Sequence, residues 1–199
     1  TALHMTKDSL LIFKNNHIYR VYSISQADPD PKFNVGTYSQ ESIVETKNGV
    51  YFFHPTGIYR YNGEVQEISR PVKDFIENIT LGNYTKVCGY LEIDGDHVCF
   101  SIGDVTVKGV SYANIVLRYT ISTQVWAVYS YPTQQLISAS YNDGSTLFSL
   151  VGDESGNVLK IGVGKTDNGT DITYLITHPY DNLDGFNASR KTVNKILFL

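Results

Sequence analysis

Short apolar stretches with strand-like alternation, separated by turns rich in Asn, Asp and Gly, run through most of the sequence and predict antiparallel β-sheet. One phrase recurs within them: His17-Ile-Tyr-Arg-Val21, Gly57-Ile-Tyr-Arg-Tyr61, Ile115-Val-Leu-Arg-Tyr119 and Asn157-Val-Leu-Lys-Ile161. Each copy reads as a strand with a basic residue in fourth place. These basic positions, Arg20, Arg60, Arg118 and Lys160, are 40, 58 and 42 residues apart. A period in the forties is the length of a four-stranded propeller blade, and the longer interval requires one insertion.

The turns divide the repeats into strands. In the second unit, Asn48-Gly49 and Asn62-Gly63 are type I′ hairpin signals, because both central positions of that turn need positive φ. With His54-Pro-Thr-Gly57 as a further reversal, strands are predicted near 41–46, 50–54, 57–61 and 64–68. The third unit repeats the plan near 86–93, 96–102, 115–120 and 124–130, with its extra length, Gly103 to Asn114, expected to be a loop. The fourth turns at Asn142-Asp-Gly144 and Glu154-Ser-Gly156, with strands near 135–141, 146–151, 157–162 and 171–176. The first shows only its later strands, 10–14 and 17–22, as truncation inside a ring would leave. The expectation is all-β: antiparallel four-stranded blades of a β-propeller, a partial ring of about 3.5 to 4 blades. The units fall near 1–38, 39–84, 85–132 and 133–176.

One short helix interrupts the pattern. Ser69 is its predicted N-cap, Pro71 suits the first turn, and Val72, Phe75, Ile76 and Ile79 form one apolar face. After Ile176 the chain turns polar, and 177–199 is a C-terminal extension whose last strand, 192–199, is expected to pair with sequence beyond it. With a strand edge at one end and no closing turn at the other, the chain reads as a segment of a longer polypeptide.

Composition adds limits to this picture. With 42% hydrophobic and 18% charged residues, the 199-residue chain can bury its own core. Its 15 Tyr and 9 Phe favour strands. A net charge of −4 excludes the broad basic field that grips nucleic-acid phosphates. No apolar run approaches the roughly 20 residues of a membrane span, and the first eight residues lack a signal-peptide layout.

Candidate chemistry is sparse. Gly162-Val-Gly-Lys-Thr166 ends like a phosphate-binding loop, but Leu159 stands where that motif needs Gly, and Asp167-Asn-Gly169 opens no helix. Cys88, His97 and Cys99 suggest a metal or a disulfide. A hairpin about Asp94-Gly95 pairs Tyr90 with Cys99 and Glu92 with His97, and sets Cys88 diagonal to Cys99, roughly 7 to 8 Å away, too far for a disulfide. Two free thiols follow, consistent with a reducing cytoplasm, and zinc lacks a fourth ligand. The opposite face, Val87, Leu91, Ile93, Val98, Phe100 and Ile102, is predicted core. The carboxylate-rich turns Asp94-Gly-Asp96, Asp153-Glu154 and 167–171 lack the spacing of a calcium loop. Sequons begin at Asn78, Asn83, Asn168 and Asn187 and matter only in a secreted protein. One reading of Arg20, Arg60, Arg118 and Lys160 is a ligand-binding ring; the favoured one makes them structural repeat markers, serving blade-to-blade hydrogen bonds or a solvated strand face. No catalytic, cofactor or metal residue is assigned.

Ser140-Tyr-Asn-Asp-Gly-Ser-Thr146 resembles the Asp-box turn of sialidase propellers, with Asn142 for its Asp and Leu147 for its Trp. That box is structural, and the family's catalysis needs an arginine cluster with a nucleophilic Tyr and paired acids. Only five Arg occur here, among them three repeat markers, so a propeller glycosidase is the weakest reading. The wider order of phrases is more informative. It runs through Leu10-Leu-Ile-Phe13, His17-Ile-Tyr-Arg20, Ser42-Ile-Val44, Gly49-Val-Tyr-Phe52 and Gly57-Ile-Tyr-Arg-Tyr-Asn-Gly63. It continues through Ile68-Ser69 before the helix, Leu117-Arg-Tyr119 with Trp126 to Tyr129, and Gly152-Asp-Glu-Ser-Gly-Asn-Val158. This order resembles the β-propeller virion proteins of tailed bacteriophages, of the tail nozzle and head-to-tail stabilising type. The resemblance implies a non-enzymatic virion subunit, assembled in the host cytoplasm as a homo-oligomeric ring with other tail or portal proteins. Such rings retain packaged DNA and then conduct it without sequence-specific binding. It also implies that 177–199 leads into a neighbouring β-sandwich. Kelch-like propellers share the Tyr and Trp placement of 117–129, and a bacterial propeller that binds glycan or protein through loops is the alternative.

Overall fold

A computed structural model describes residues 1–23, 26–28, 34–142, 144, 145, 147–162, 166, 167 and 169–171. The fold is mostly antiparallel β-sheet. Sheet 1 is the meander β1 (Ala2–Met5), β2 (Leu10–Phe13), β3 (Ile18–Ser23) and β4 (Gln26–Asp28). Sheet 2 is β5 (Val44–Thr46), β6 (Gly49–His54), β7 (Gly57–Tyr61) and β8 (Val65–Glu67). After a helical segment, sheet 3 is β9 (Cys88–Leu91), β10 (His97–Val107), β11 (Val110–Thr120) and β12 (Val125–Ser130). Sheet 4 is β13 (Gln135–Asn142), β14 (Leu147–Asp153) and β15 (Val158–Lys160). A ribbon of β16 (Thr166–Asp167) and β17 (Thr170–Asp171) follows. No helix among the described residues is long and apolar enough to cross a membrane.

Because side chains alternate across a strand, each inner sheet can bury both faces. Sheet 2 does so with one set of residues per side. Val50, Phe52 and Tyr61 pack on Ala2, Leu11, Phe13 and Ile18 of sheet 1. Tyr51, Phe53 and Ile58 turn the other way, onto Val98, Phe100, Ile102 and Leu117 of sheet 3. Trp126 ties the same two sheets, its indole N–H donating to the Ile68 carbonyl at 2.9 Å. Between sheets 3 and 4 the core is smaller: among the described residues it comprises Tyr90, Cys99, Val116 and Val151, flanked by Tyr131, Leu159 and Ile161. The first strands of sheets 2, 3 and 4 approach one another, with β9 lying against both β5 and β13. Gly89 permits this approach, since a Cβ there would stand 2.6 Å from Val44 Cγ2 and 2.8 Å from the Ser42 carbonyl oxygen. On the other side Ser138 Oγ donates to the Gly89 carbonyl at 2.8 Å and Ser149 Oγ to the Leu91 carbonyl at 2.6 Å.

The stretch from Gly103 to Asn114 is not a loop. Both long strands of sheet 3 continue through it and reverse at Lys108 (φ 51°) and Gly109 (φ 80°). Val105 and Val107 are buried while Asp104 and Thr106 face solvent, the period of a strand. The arm lies on the helix, where Phe75 meets Tyr112 edge to face and Lys108 pairs with Asp74 at 2.9 Å. The first unit is a complete four-stranded sheet, not the two strands of a truncated one. Ser69 does not cap the helix. Its hydroxyl accepts the Ile58 N–H at 2.9 Å, and the chain enters through a 3-10 turn, Arg70–Val72, before α1 (Lys73–Glu77). The apolar face is nonetheless as predicted, with Val72, Ile76 and Ile79 buried and Phe75 packed beside them. Ile93, predicted core, is 46% exposed because β9 ends two residues before it. The Asn48-Gly49 hairpin has Lys47 and Asn48 as its loop, since Thr46 pairs with Gly49, and only the glycine takes positive φ. The predicted strand 171–176 beyond Asp171, the extension 177–199, and residues 163–165 of the Gly-Lys-Thr stretch lie outside the described residues, as do Asp143 and Thr146 of the Asp-box-like turn.

Candidate functional site

Each of the four recurrent basic residues falls on the third strand of its sheet: Arg20 on β3, Arg60 on β7, Arg118 on β11 and Lys160 on β15. Among the described residues, their side-chain hydrogen bonds and ring contacts lie within their own sheets, while the Arg60 charge also reaches Tyr119 of sheet 3. Arg20 Nε donates to Ser9 Oγ at 3.1 Å, and its guanidinium lies 4.4 Å from the centre of the Tyr22 ring. Arg60 Nη2 donates to Gln66 Oε1 at 2.7 Å. The Lys160 ammonium sits 3.0 Å above the Phe148 ring. Cation–π contact and short hydrogen bonds hold these long side chains flat along the strands.

Arg118 is the best anchored. It grips Glu92 bidentately, with Nε to Oε1 at 2.9 Å and Nη2 to Oε2 at 2.6 Å, and touches the Tyr129 hydroxyl at 3.4 Å. The matched planes of guanidinium and carboxylate make this the strongest kind of side-chain pair. The β9–β10 turn brings more groups to the same spot. His97 Nδ1 bonds Asp94 and lies 3.7 Å from Glu92 Oε2, Asp94 Oδ1 accepts the Asp96 N–H at 2.9 Å, and Cys99 Sγ donates to Glu92 Oε1 at 3.4 Å. Donor atoms of Glu92, Asp94 and His97 lie within 4.8 Å of one another, close enough for one cation. Arg118 already occupies both oxygens of Glu92, however, and a divalent ion there would sit against the guanidinium charge. The cluster is therefore an ion-pair clamp across β9, β10 and β11.

Spacing along the sequence groups His97 with Cys88 and Cys99. The structure groups it with Asp94 and Glu92 instead. The signal lay in the hairpin register: the Glu92 N–H donates to the His97 carbonyl at 2.9 Å, and Cys99 pairs with Arg118. Both cysteines are buried and free. Burial pushes the Cys88 thiol up to about 12 and the Cys99 thiol well above its ordinary value, so neither is a thiolate nucleophile at neutral pH.

Among the described residues, two carboxylates are held below the ordinary range. Partial burial works to raise Asp94, but the Asp96 amide, the His97 ring and the Arg118 charge together outweigh it. Asp153 is lowered foremost by the Asn157 side-chain amide, with the Thr133 hydroxyl and the amides of Asn157 and Ser155 adding to it. A depressed carboxylate contributes stability that is full above its unfolded value and is lost as pH falls through its folded value. Urea midpoints are therefore expected to fall with pH below about 4, and Asp94→Asn should flatten that decline. An unchanged acid limb in the variant would remove Asp94 from the account.

Two crevices flank these elements. One, of about 450 Å³, lies where the hairpin turns of sheets 1 and 2 meet, and is lined by Lys7, Asp8, Arg20, Lys47, Asn48 and Asn62 among others. The other, of about 240 Å³, lies among the first strands, against Val44, Gly89, Tyr90, Ser138 and Ser149. The arginines are dispersed, with Arg20, Arg60 and Arg118 on three sheets, Arg70 at the helix entry and Arg190 outside the described residues. No protein-family model matches the chain, and a search of curated proteins finds no match either.

Proposed function

We propose that the chain is a run of β-propeller blades in a structural, non-enzymatic virion subunit of a tailed bacteriophage, in the tail or the head-to-tail connector. The subunit belongs to a homo-oligomeric ring that retains DNA and then conducts it. The observation that carries the architecture is the repeated sheet plan. The first strands of sheets 2, 3 and 4 abut one another, and each of the four sheets places its basic residue on its third strand. The virion identity rests on the order of phrases along the sequence. The local use of Arg20, Arg60 and Arg118 as clamps fits a load-bearing part better than a substrate site. A net charge of −4 suits a conduit that DNA slides through.

The polar crevice between sheets 1 and 2 favours a second reading, a propeller that binds glycan or protein. Co-sedimentation of the full-length protein with a purified portal ring separates the two. Binding to the ring, with no hydrolysis of glycosides, is expected. A monomer that ignores the ring but binds an oligosaccharide would transfer the case to the second reading.

A further inference from the structure

Among the described residues, the four stacked sheets leave two end faces outside the core clusters, and both are apolar. On sheet 1 the face turned away from sheet 2 carries Leu3, Met5, Leu10, Ile12, Tyr19 and Val21, in strict alternation with the buried Ala2, Leu11, Phe13 and Ile18. Leu3 is 55% and Met5 69% exposed, and none of the six is charged. On sheet 4 the face turned away from sheet 3 carries Ile137, Ala139, Tyr141, Phe148, Leu150 and Val158. Ile137, Tyr141 and Val158 are 55%, 54% and 73% exposed, and Lys160, folded over Phe148, is the charged residue among them. None of these twelve apolar residues belongs to a core cluster of the described residues. An antiparallel sheet that ends at water normally turns a polar face outward.

We propose that the two faces are halves of one interface, the open face of sheet 4 in one copy packing on the open face of sheet 1 in a second copy, head to tail. Continuity argues for this occupant. Sheet 1 meets sheet 2, sheet 2 meets sheet 3 and sheet 3 meets sheet 4 through paired apolar faces, and sheet 4 onto sheet 1 continues the series in the same order. Charge is compatible, because the six residues of the sheet 1 face include no cation to oppose Lys160 of the sheet 4 face. The contact is heterologous, so repetition either closes a ring or runs on. The choice of a second copy rests on the ring-subunit reading; the openness of the faces does not.

Sedimentation velocity over a wide concentration range tests the proposal with Met5→Lys on one face, Ile137→Lys on the other, and Val125→Lys on β12 as a control. Circular dichroism establishes that each variant folds. The unsubstituted chain and the control should associate, while each face variant should lose association by more than about tenfold, since a buried, unpaired ammonium is strongly disfavoured. Mixing the two face variants should restore dimers and nothing larger, because each retains the half that the other lacks. A monomeric parent chain, association indifferent to Met5→Lys, or a mixture that stays monomeric would overturn the interface. A monomeric chain that still binds a portal ring would leave the virion reading standing without it; head-to-tail association without portal binding would do the reverse.

Discussion

Replacing Phe100 by Ala is expected to destabilise the protein by about 3 to 5 kcal/mol, the cost of a large fully buried aromatic. Phe100 is fully buried at the centre of the largest core, on β10 between Gly89 of β9 and Leu117 of β11. It meets the side chains that sheet 2 and the helix turn inward, so truncation would leave a cavity bounded by two sheets that cannot both collapse into it. His97→Ala on the same strand should cost under about 1 kcal/mol, because its partner Asp94 is near half exposed. Denaturant midpoints in the reverse order would mean that the strand is set one residue out of register.

The second large effect is expected at Gly89. A methyl group there meets Val44 Cγ2 and, less forgivingly, the backbone carbonyl of Ser42. Backbone cannot rotate aside as a side chain can, so Gly89→Ala should cost roughly 1 to 3 kcal/mol by forcing β9 away from β5. The hydrogen bond from Ser138 to the Gly89 carbonyl limits retreat on the other side. Urea denaturation of the variant checks this, and a midpoint equal to that of the parent would mean that the first strands are not in close contact.

Where the sequence was legible, short-range chemistry carried the information. The second unit's strands follow the alternation of Val50, Phe52, Tyr51 and Phe53 and the breaks at Gly49 and Gly57. The register of β9 against β10 followed from one turn at Asp94-Gly95. Legibility failed where the decisive partner is distant in sequence. Gly103 and Asp104 look like the start of a loop, yet the helix thirty residues earlier supplies the apolar surface that keeps β10 and β11 extended. The turn there places a non-glycine residue, Lys108, at positive φ, whereas the Asn-Gly pair that advertised such a turn forms a different one. Ser69 has the composition of a cap, but the β7 amide of Ile58 claims its hydroxyl. The ion-pair clamp escaped because Glu92 and Arg118 are brought together only by three aligned strands.

The smaller core between sheets 3 and 4 gives the two cysteines a further meaning. Cys88 and Cys99 both face it, and so does the Gln135 side-chain amide, which is buried with neither its nitrogen nor its oxygen hydrogen-bonded. Few apolar contacts among the described residues and an unsatisfied amide make this junction cheaper to part than the broad one beneath sheet 2. Sealed and protonated while the sheets are together, the thiols become accessible to an alkylating reagent when this junction opens. The molecule thus carries a built-in chemical clock for the parting of its fourth sheet, started by opening and read out by mass.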